Sequence, residues 1–261
     1  MTMIGVVARS LRATFEMALP TTCGGCGTAG PTWCVLCADE AGRVTYPGGP
    51  RQACPKPSPA GYPPTWAATP YDASTRAALV AFKDGDRRDL ETVLAPMLWD
   101  AMAAALTADP GLRAVLTSGN GPVFVVPVPS SSSAVRRRGD APLELLTRGA
   151  IARAAREGSR GQLIFSPALR IRRRVADQAG LNHRQRATNL DHAMQVQPRW
   201  RASVCGVTCL LTDDVLTTGA TLVEAARALR EAGSGHVAAA AVAATQRRFV
   251  PTGGGLQDGD R

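Results

Sequence analysis

The chain has 261 residues, 45% of them apolar, and carries 30 basic against 21 acidic side chains for a net charge of +9. That length suits one medium domain plus a small one, and the apolar share supports a packed core, which excludes global disorder. No apolar run of roughly 18 residues occurs, which argues against a membrane-spanning helix, while the positive charge favours polyanionic partners without choosing among small phosphates, nucleotides and DNA.

In chain order, Ile4, Val7, Leu11 and Phe15 fall on one helical face. Arg9, Arg12 and Glu16 interrupt that stretch and break any signal-peptide core, so the expected location is cytoplasmic. Cys23, Cys26, Cys34 and Cys37 then form a Cys-x2-Cys-x7-Cys-x2-Cys pattern. Each pair places two thiolates on one tight knuckle, and two knuckles complete a closed tetrahedral zinc site of structural type. Gly24, Gly25 and Gly27 free the backbone for the first knuckle. Disulfides, or a Cys-x-x-Cys redox pair, are the alternatives, and the doubled motif in a cytoplasmic setting favours zinc. Cys54 stands apart as the relic of a further knuckle, and Cys205 and Cys209 read as small buried residues.

The Pro- and Gly-rich residues 47–64 read as a linker or extended cover. Helical periodicity follows around 74–83 and 87–107, joined by the polar turn Lys83-Asp84-Gly85-Asp86. Lys56 and Lys83 are the only lysines; with the abundant arginine and alanine this fits a GC-rich coding bias. Val123–Val128 predicts a short buried strand ending at Pro129 and the serines 130–133, and Arg136, Arg137, Arg138 and Gly139 lead into a helix over 141–156. Gln162–Phe165 is another short strand, and residues 170–192 are basic, polar and poor in apolar anchors. A strand over Cys209–Asp213, a helix over 219–232 and a strand over Val237–Ala244 close the pattern, before a Gly-rich tail from Pro251 that is expected to be disordered. Strands alternating with helices predict an α/β fold with a parallel sheet flanked by helices. In such a sheet the strand tips at 127–133 and 213–221 would share one cleft.

The second of those tips is the most informative stretch. An apolar strand runs into Asp213 and Asp214, then into the turn Thr217-Thr218-Gly219-Ala220-Thr221, and a helix begins with Leu222, Ala225, Ala226 and Leu229 on one face. Unpaired N–H groups at a helix start suit a phosphate, Gly219 permits close backbone approach, and the threonine hydroxyls add donors. Two carboxylates beside a phosphate cradle suit ribose hydroxyls and a magnesium ion. An ordinary, well-capped strand–turn–helix is the competing reading. At the first tip, Arg136 and Arg137 offer planar forks for pyrophosphate oxygens, or form a solvated basic loop.

Residues 212–221 closely resemble the signature of type I phosphoribosyltransferases, which bind phosphoribosyl pyrophosphate (PRPP). The chain as a whole is similar to the ComF/GntX-like branch of that family, associated with DNA uptake and competence. The resemblance rests on the cysteine knuckles, Val126-Pro127-Val128-Pro129, Arg136–Gly139, and Gln178, Leu181, Arg186 and Asn189. It covers the chain from Cys23 to about Thr245. The sequence departs from the family at Ser130–Ser133, at Asp140, and in a further knuckle, of which only Cys54 stands.

The resemblance implies a type I phosphoribosyltransferase-like domain over 61–250, an N-terminal helix plus zinc-knuckle module and linker over 1–60, and a tail over 251–261. It implies that Asp213 and Asp214 hold the ribose 2′ and 3′ hydroxyls and that Thr217, Thr218, Gly219, Ala220 and Thr221 hold the 5′-phosphate. Pro127, Ser130, Arg136 and Arg137 would serve the pyrophosphate, with Mg2+ as the ligand's companion and zinc as a structural ion. The implied reaction is transfer of phosphoribosyl from PRPP to a nitrogen acceptor with release of pyrophosphate. Magnesium and the arginines, with Arg184 or Arg186 of the polar loop, would stabilise the leaving group. Asp177 and His183 are candidates for a general base by composition alone. The rival reading is a non-catalytic PRPP sensor, or an accessory module that binds single-stranded DNA or proteins of the uptake machinery. Scattered tryptophans weaken direct DNA readout, and a homodimer is left open.

Overall fold

The computed structural model describes residues 22–44, 46, 48–119, 121–130, 140–158, 162–172 and 192–245. The expected N-terminal helix, Arg136 and Arg137, the 178–189 segment with Asp177, His183, Arg184 and Arg186, and the tail from Pro251 lie outside them. Helix α1 spans Val35–Val44, and strands β1 (Arg51–Gln52) and β2 (Thr65–Pro70) follow. Next come α2 (Ala73–Asp84), α3 (Glu91–Ala108), α4 (Pro110–Ser118), β3 (Val123–Pro127) and α5 (Pro142–Arg156). After them stand β4 (Leu163–Phe165), β5 (Leu169–Ile171), β6 (Met194–Val196), α6 (Arg201–Val204), β7 (Cys209–Leu216), α7 (Ala220–Glu231) and β8 (Val237–Ala244).

Six strands form one sheet in the order β1-β2-β8-β7-β3-β4. Every pair is parallel except the edge pair β1–β2. The fold is therefore α/β with a mostly parallel sheet, as the alternation predicted. Side-chain alternation along each strand divides the core in two. Val123 and Val125 of β3, Leu210 of β7 and Ala238, Ala240 and Val242 of β8 face one way, onto α2 through α5. Phe124 and Val126, Cys209 and Leu211, and Ala239 and Ala241 face the other, onto α7 and the separate β5–β6 hairpin. Strand β8 is wholly buried although six of its eight residues are alanine. Its small side chains let α3 and its Ala101 and Ala105 share one core with the sheet.

Four features differ from the sequence reading. Strand β2 falls where no strand was predicted: Thr65, Trp66 and Thr69 favour a strand, but two alanines and a terminal proline dilute that preference, and burial with parallel pairing to β8 decides it. The helix expected from 87 starts as a 3-10 turn over Arg88–Leu90 and becomes α-helical at Glu91. Helix α4 and the β5–β6 hairpin were not predicted; Asp109 caps α4 by accepting the Leu112 N–H at 2.9 Å. Finally, β7 runs on to Leu216, where its pairing with Ala244 of β8 ends, so both aspartates lie inside the strand. No helix among the described residues is long and apolar enough to cross a membrane.

Candidate functional site

Strand order decides where a ligand can sit. From β3 the chain moves outward to β4, whereas from β7 it moves the opposite way to β8. The carboxyl ends of β3 and β7 are thus the topological switch point, where a crevice opens because the flanking connections diverge. Pro127 pairs with Thr212, and the ladder ends as Val128 N–H donates to the Thr212 carbonyl at 3.0 Å. Beyond it the Asp214 N–H donates to its neighbour's carboxylate, Asp213 Oδ1, at 2.9 Å, and Val215 N–H donates to Asp214 Oδ1 at 2.7 Å. A buried hydroxyl pair, Thr147 with Thr212 at 2.8 Å, ties α5 to β7 just below the opening.

The crevice is a cavity of about 400 Å³ lined by Asp213, Asp214, Thr217 and Thr221 on one side and Val128, Pro129 and Ser130 on the other. The two predicted strand tips therefore do meet, with Pro127 one residue short of the lining. Asp213 is half-buried and Asp214 buried. The protein packed around Asp213 pushes its carboxyl up to about 6, against a smaller opposing pull from the ammonium of Lys83. Lys83, from the last turn of α2, lines the same cavity and forms an ion pair with Asp214 Oδ2. Sequence reasoning missed Lys83 as a site residue. The available signal was its being one of two lysines in a chain that otherwise uses arginine.

The turn before α7 is built as a helix start. Gly219 takes the left-handed conformation at φ 76°, and its carbonyl accepts the Val223 N–H at 2.9 Å. A Cβ at Gly219 would lie 2.7 Å from the Tyr62 ring and 2.9 Å from Pro55. The glycine is thus required by the protein's own packing as well as by its dihedral. Of the stretch 47–64, read as a linker or extended cover, Pro55 and Tyr62 do cover this turn, and Tyr62 Oη donates to the Ala53 carbonyl at 3.1 Å. One of the N–H groups expected to face a phosphate is used internally: Ala220 N–H donates to Thr218 Oγ1 at 3.2 Å. Thr217 is exposed at the mouth, and Thr221 opens the first turn of α7 inside the cavity.

The four N-terminal cysteines converge, their Sγ atoms all within 4.8 Å of one another. Cys26 and Cys34 are 3.7 Å apart, close to the roughly 3.8 Å edge of a tetrahedral zinc–thiolate site with Zn–S bonds of about 2.3 Å. All four are free thiols rather than disulfides. Burial alone would raise the Cys23 thiol, but backbone N–H groups of Cys26, Cys34 and Gly25 outweigh it and bring it down to about 6. Such a cluster can hold a structural metal ion. Gly25 is a site requirement, since a Cβ there would sit 2.6 Å from Cys37 Sγ. The module docks on the turn after α2: Thr32 Oγ1 donates to Asp89 at 2.9 Å, Arg87 donates to Thr22 at 3.2 Å, and Leu90 fills the space over Gly24. Of the remaining cysteines Cys209 is buried as expected. Cys205 is exposed instead, because it lies in the turn after α6 rather than on a strand. Cys54 is exposed too, at the head of the covering segment.

Comparison of the chain with models of known protein families found no match, and neither did comparison with curated protein sequences.

Proposed function

We propose that the chain is a phosphoribosyltransferase-like protein of the ComF/GntX-like kind. It would bind PRPP with Mg2+ in the crevice between β3 and β7 and transfer phosphoribosyl to a nitrogen acceptor with release of pyrophosphate. The observation that carries this reading is the placement of adjacent carboxylates and a threonine-rich helix start in one switch-point cavity. Asp213 and Asp214 offer acceptors for the ribose 2′ and 3′ hydroxyls at the strand end. Thr217, Thr218 and Thr221, with the N–H groups at the start of α7, offer donors and the positive end of the helix dipole to the 5′-phosphate. Magnesium supplies charge neutralisation of the pyrophosphate when bound. Asp213, ionised at neutral pH, stands beside the ribose where positive charge builds as the bond to pyrophosphate lengthens, so its contribution is electrostatic. Val128 and Pro129 offer an apolar wall on the opposite side of the crevice. Cys23, Cys26, Cys34 and Cys37 hold a structural zinc ion in this reading.

Millimolar PRPP with Mg2+ is expected to raise the melting temperature, and the Asp213→Asn, Asp214→Asn double variant to lose the rise. An unchanged melting curve for the unaltered protein would overturn the ligand assignment. Pyrophosphate release measured over a panel of bases and amines then separates transferase from sensor: tight PRPP binding with release by no acceptor would replace catalysis with sensing.

A further inference from the structure

We infer that Lys83 is the positioning residue of this cavity: its ammonium holds the Asp214 carboxylate in place at the strand end and gives a polyanionic sugar phosphate a site it can enter. The inference rests on the sugar-phosphate reading of the crevice and deepens it. Its physical basis is a charge imbalance. Among the described residues lining the cavity, Asp213 and Asp214 are the acids and Lys83 is the base. A ligand carrying several phosphoryl charges would meet two carboxylates, and at separations of a few ångströms in a partly dry crevice that repulsion is poorly screened. The Lys83–Asp214 ion pair removes one of the two charges from the ligand's view.

The pair is lopsided. The Lys83 side chain is 41% exposed and that of Asp214 only 10%. A buried carboxylate depends on its partner far more than a wet ammonium does. Asp214 is therefore the member whose geometry is at stake, and Lys83 acts through it.

The backbone that carries Lys83 is held from three sides, as a positioning role requires. Phe82, its neighbour in α2, is fully buried in the core. Arg88 donates to the Phe82 carbonyl and reaches Asp140 with both arms of its fork, the Nη2–Oδ1 distance being 2.9 Å. Asp140 stands two residues before α5, whose Pro142 and Leu143 line the crevice. The cysteine module then clamps the same turn through Arg87, Asp89 and Leu90. An arginine-rich chain thus places one compact ammonium where a broad guanidinium fork would occupy more of the cavity.

The test is a double-mutant cycle on PRPP binding, measured by calorimetry with Mg2+ on the full chain. Lys83→Met is expected to weaken binding by roughly 10- to 100-fold, the range of one hydrogen bond to a charged group. Lys83→Arg keeps the charge but crowds the cavity and should retain only part of the affinity, and Lys83→Gln serves as the neutral variant if Met impairs folding. In an Asp214→Asn background, loss of Lys83 should change affinity little, because the residue acts through the carboxylate. Equal affinity of Lys83→Met and the unaltered protein, or losses that add in the double variant, would overturn the role of Lys83 while leaving the ligand assignment standing. Failure of the unaltered protein to bind PRPP would overturn both.

Discussion

Replacing Asp213 by asparagine should make the protein more stable at neutral pH while destroying its ligand response. The carboxyl is raised from an ordinary value of 3.8 to about 6 in the folded protein, chiefly by burial. At roughly 1.4 kcal/mol for each pH unit, the charged form costs the fold about 3 kcal/mol. The sign follows from proton linkage: between about pH 4 and pH 6 the folded state binds the proton that the unfolded state has released. The stability associated with this group is therefore complete below pH 4 and is lost as the pH rises through 6. Asparagine carries no such charge, and its amide oxygen can keep the bond from the Asp214 N–H that Asp213 Oδ1 now accepts. In a chain of this size about 3 kcal/mol corresponds to a rise of roughly 6–12 °C in melting temperature. Thermal unfolding followed by circular dichroism from pH 4 to pH 8 should show the two proteins converging at the acid end, diverging as the pH rises from 4 to 6 and keeping a constant gap above it. A variant that melts at or below the unaltered protein at pH 8 would refute the view that Asp213 is a charge held at the fold's expense.

Two further outcomes follow from the site. Purified protein should contain about one zinc ion per chain, and chelation or Cys26→Ser should lower the melting temperature by loosening the module from Arg87, Asp89 and Leu90; elemental analysis without zinc, together with an unchanged melt, would refute the metal site. Gly219→Ala should destabilise by about 1–2 kcal/mol from the left-handed backbone alone, with more from collision with Tyr62. In urea unfolding, Tyr62→Ala should relieve the second part and leave the first, and full recovery would show that the dihedral costs nothing.

Much of the chain was legible because its signals are local. The periodicity of α2, α5 and α7, the apolar runs of β3 and β8, and the spacing of the four cysteines each depend on residues within one element. The turn Thr217–Thr221 was legible for the same reason, since glycine and hydroxyl residues at a helix start carry their own backbone chemistry. Strand β2 was not legible: the strand preference of Thr65, Trp66 and Thr69 is diluted by two alanines and a terminal proline, and pairing with β1 and β8 decides the matter. The prolines and glycines of 47–64 left a linker and a cover open, and what Pro55 and Tyr62 cover is Gly219, a residue more than 150 positions away.

The sequence by itself determined which groups are available: two adjacent carboxylates, a hydroxyl-rich helix start and four cysteines in two knuckles. Only the tertiary structure decided how they meet. Divergence of the chain at β3 and β7 opens the crevice at Asp213 and Asp214, and the turn after α2, held by Arg88 and the cysteine module, brings Lys83 onto Asp214 across 131 residues of chain. Charge balance in a cavity depends on distance through space, which no local pattern of residues encodes.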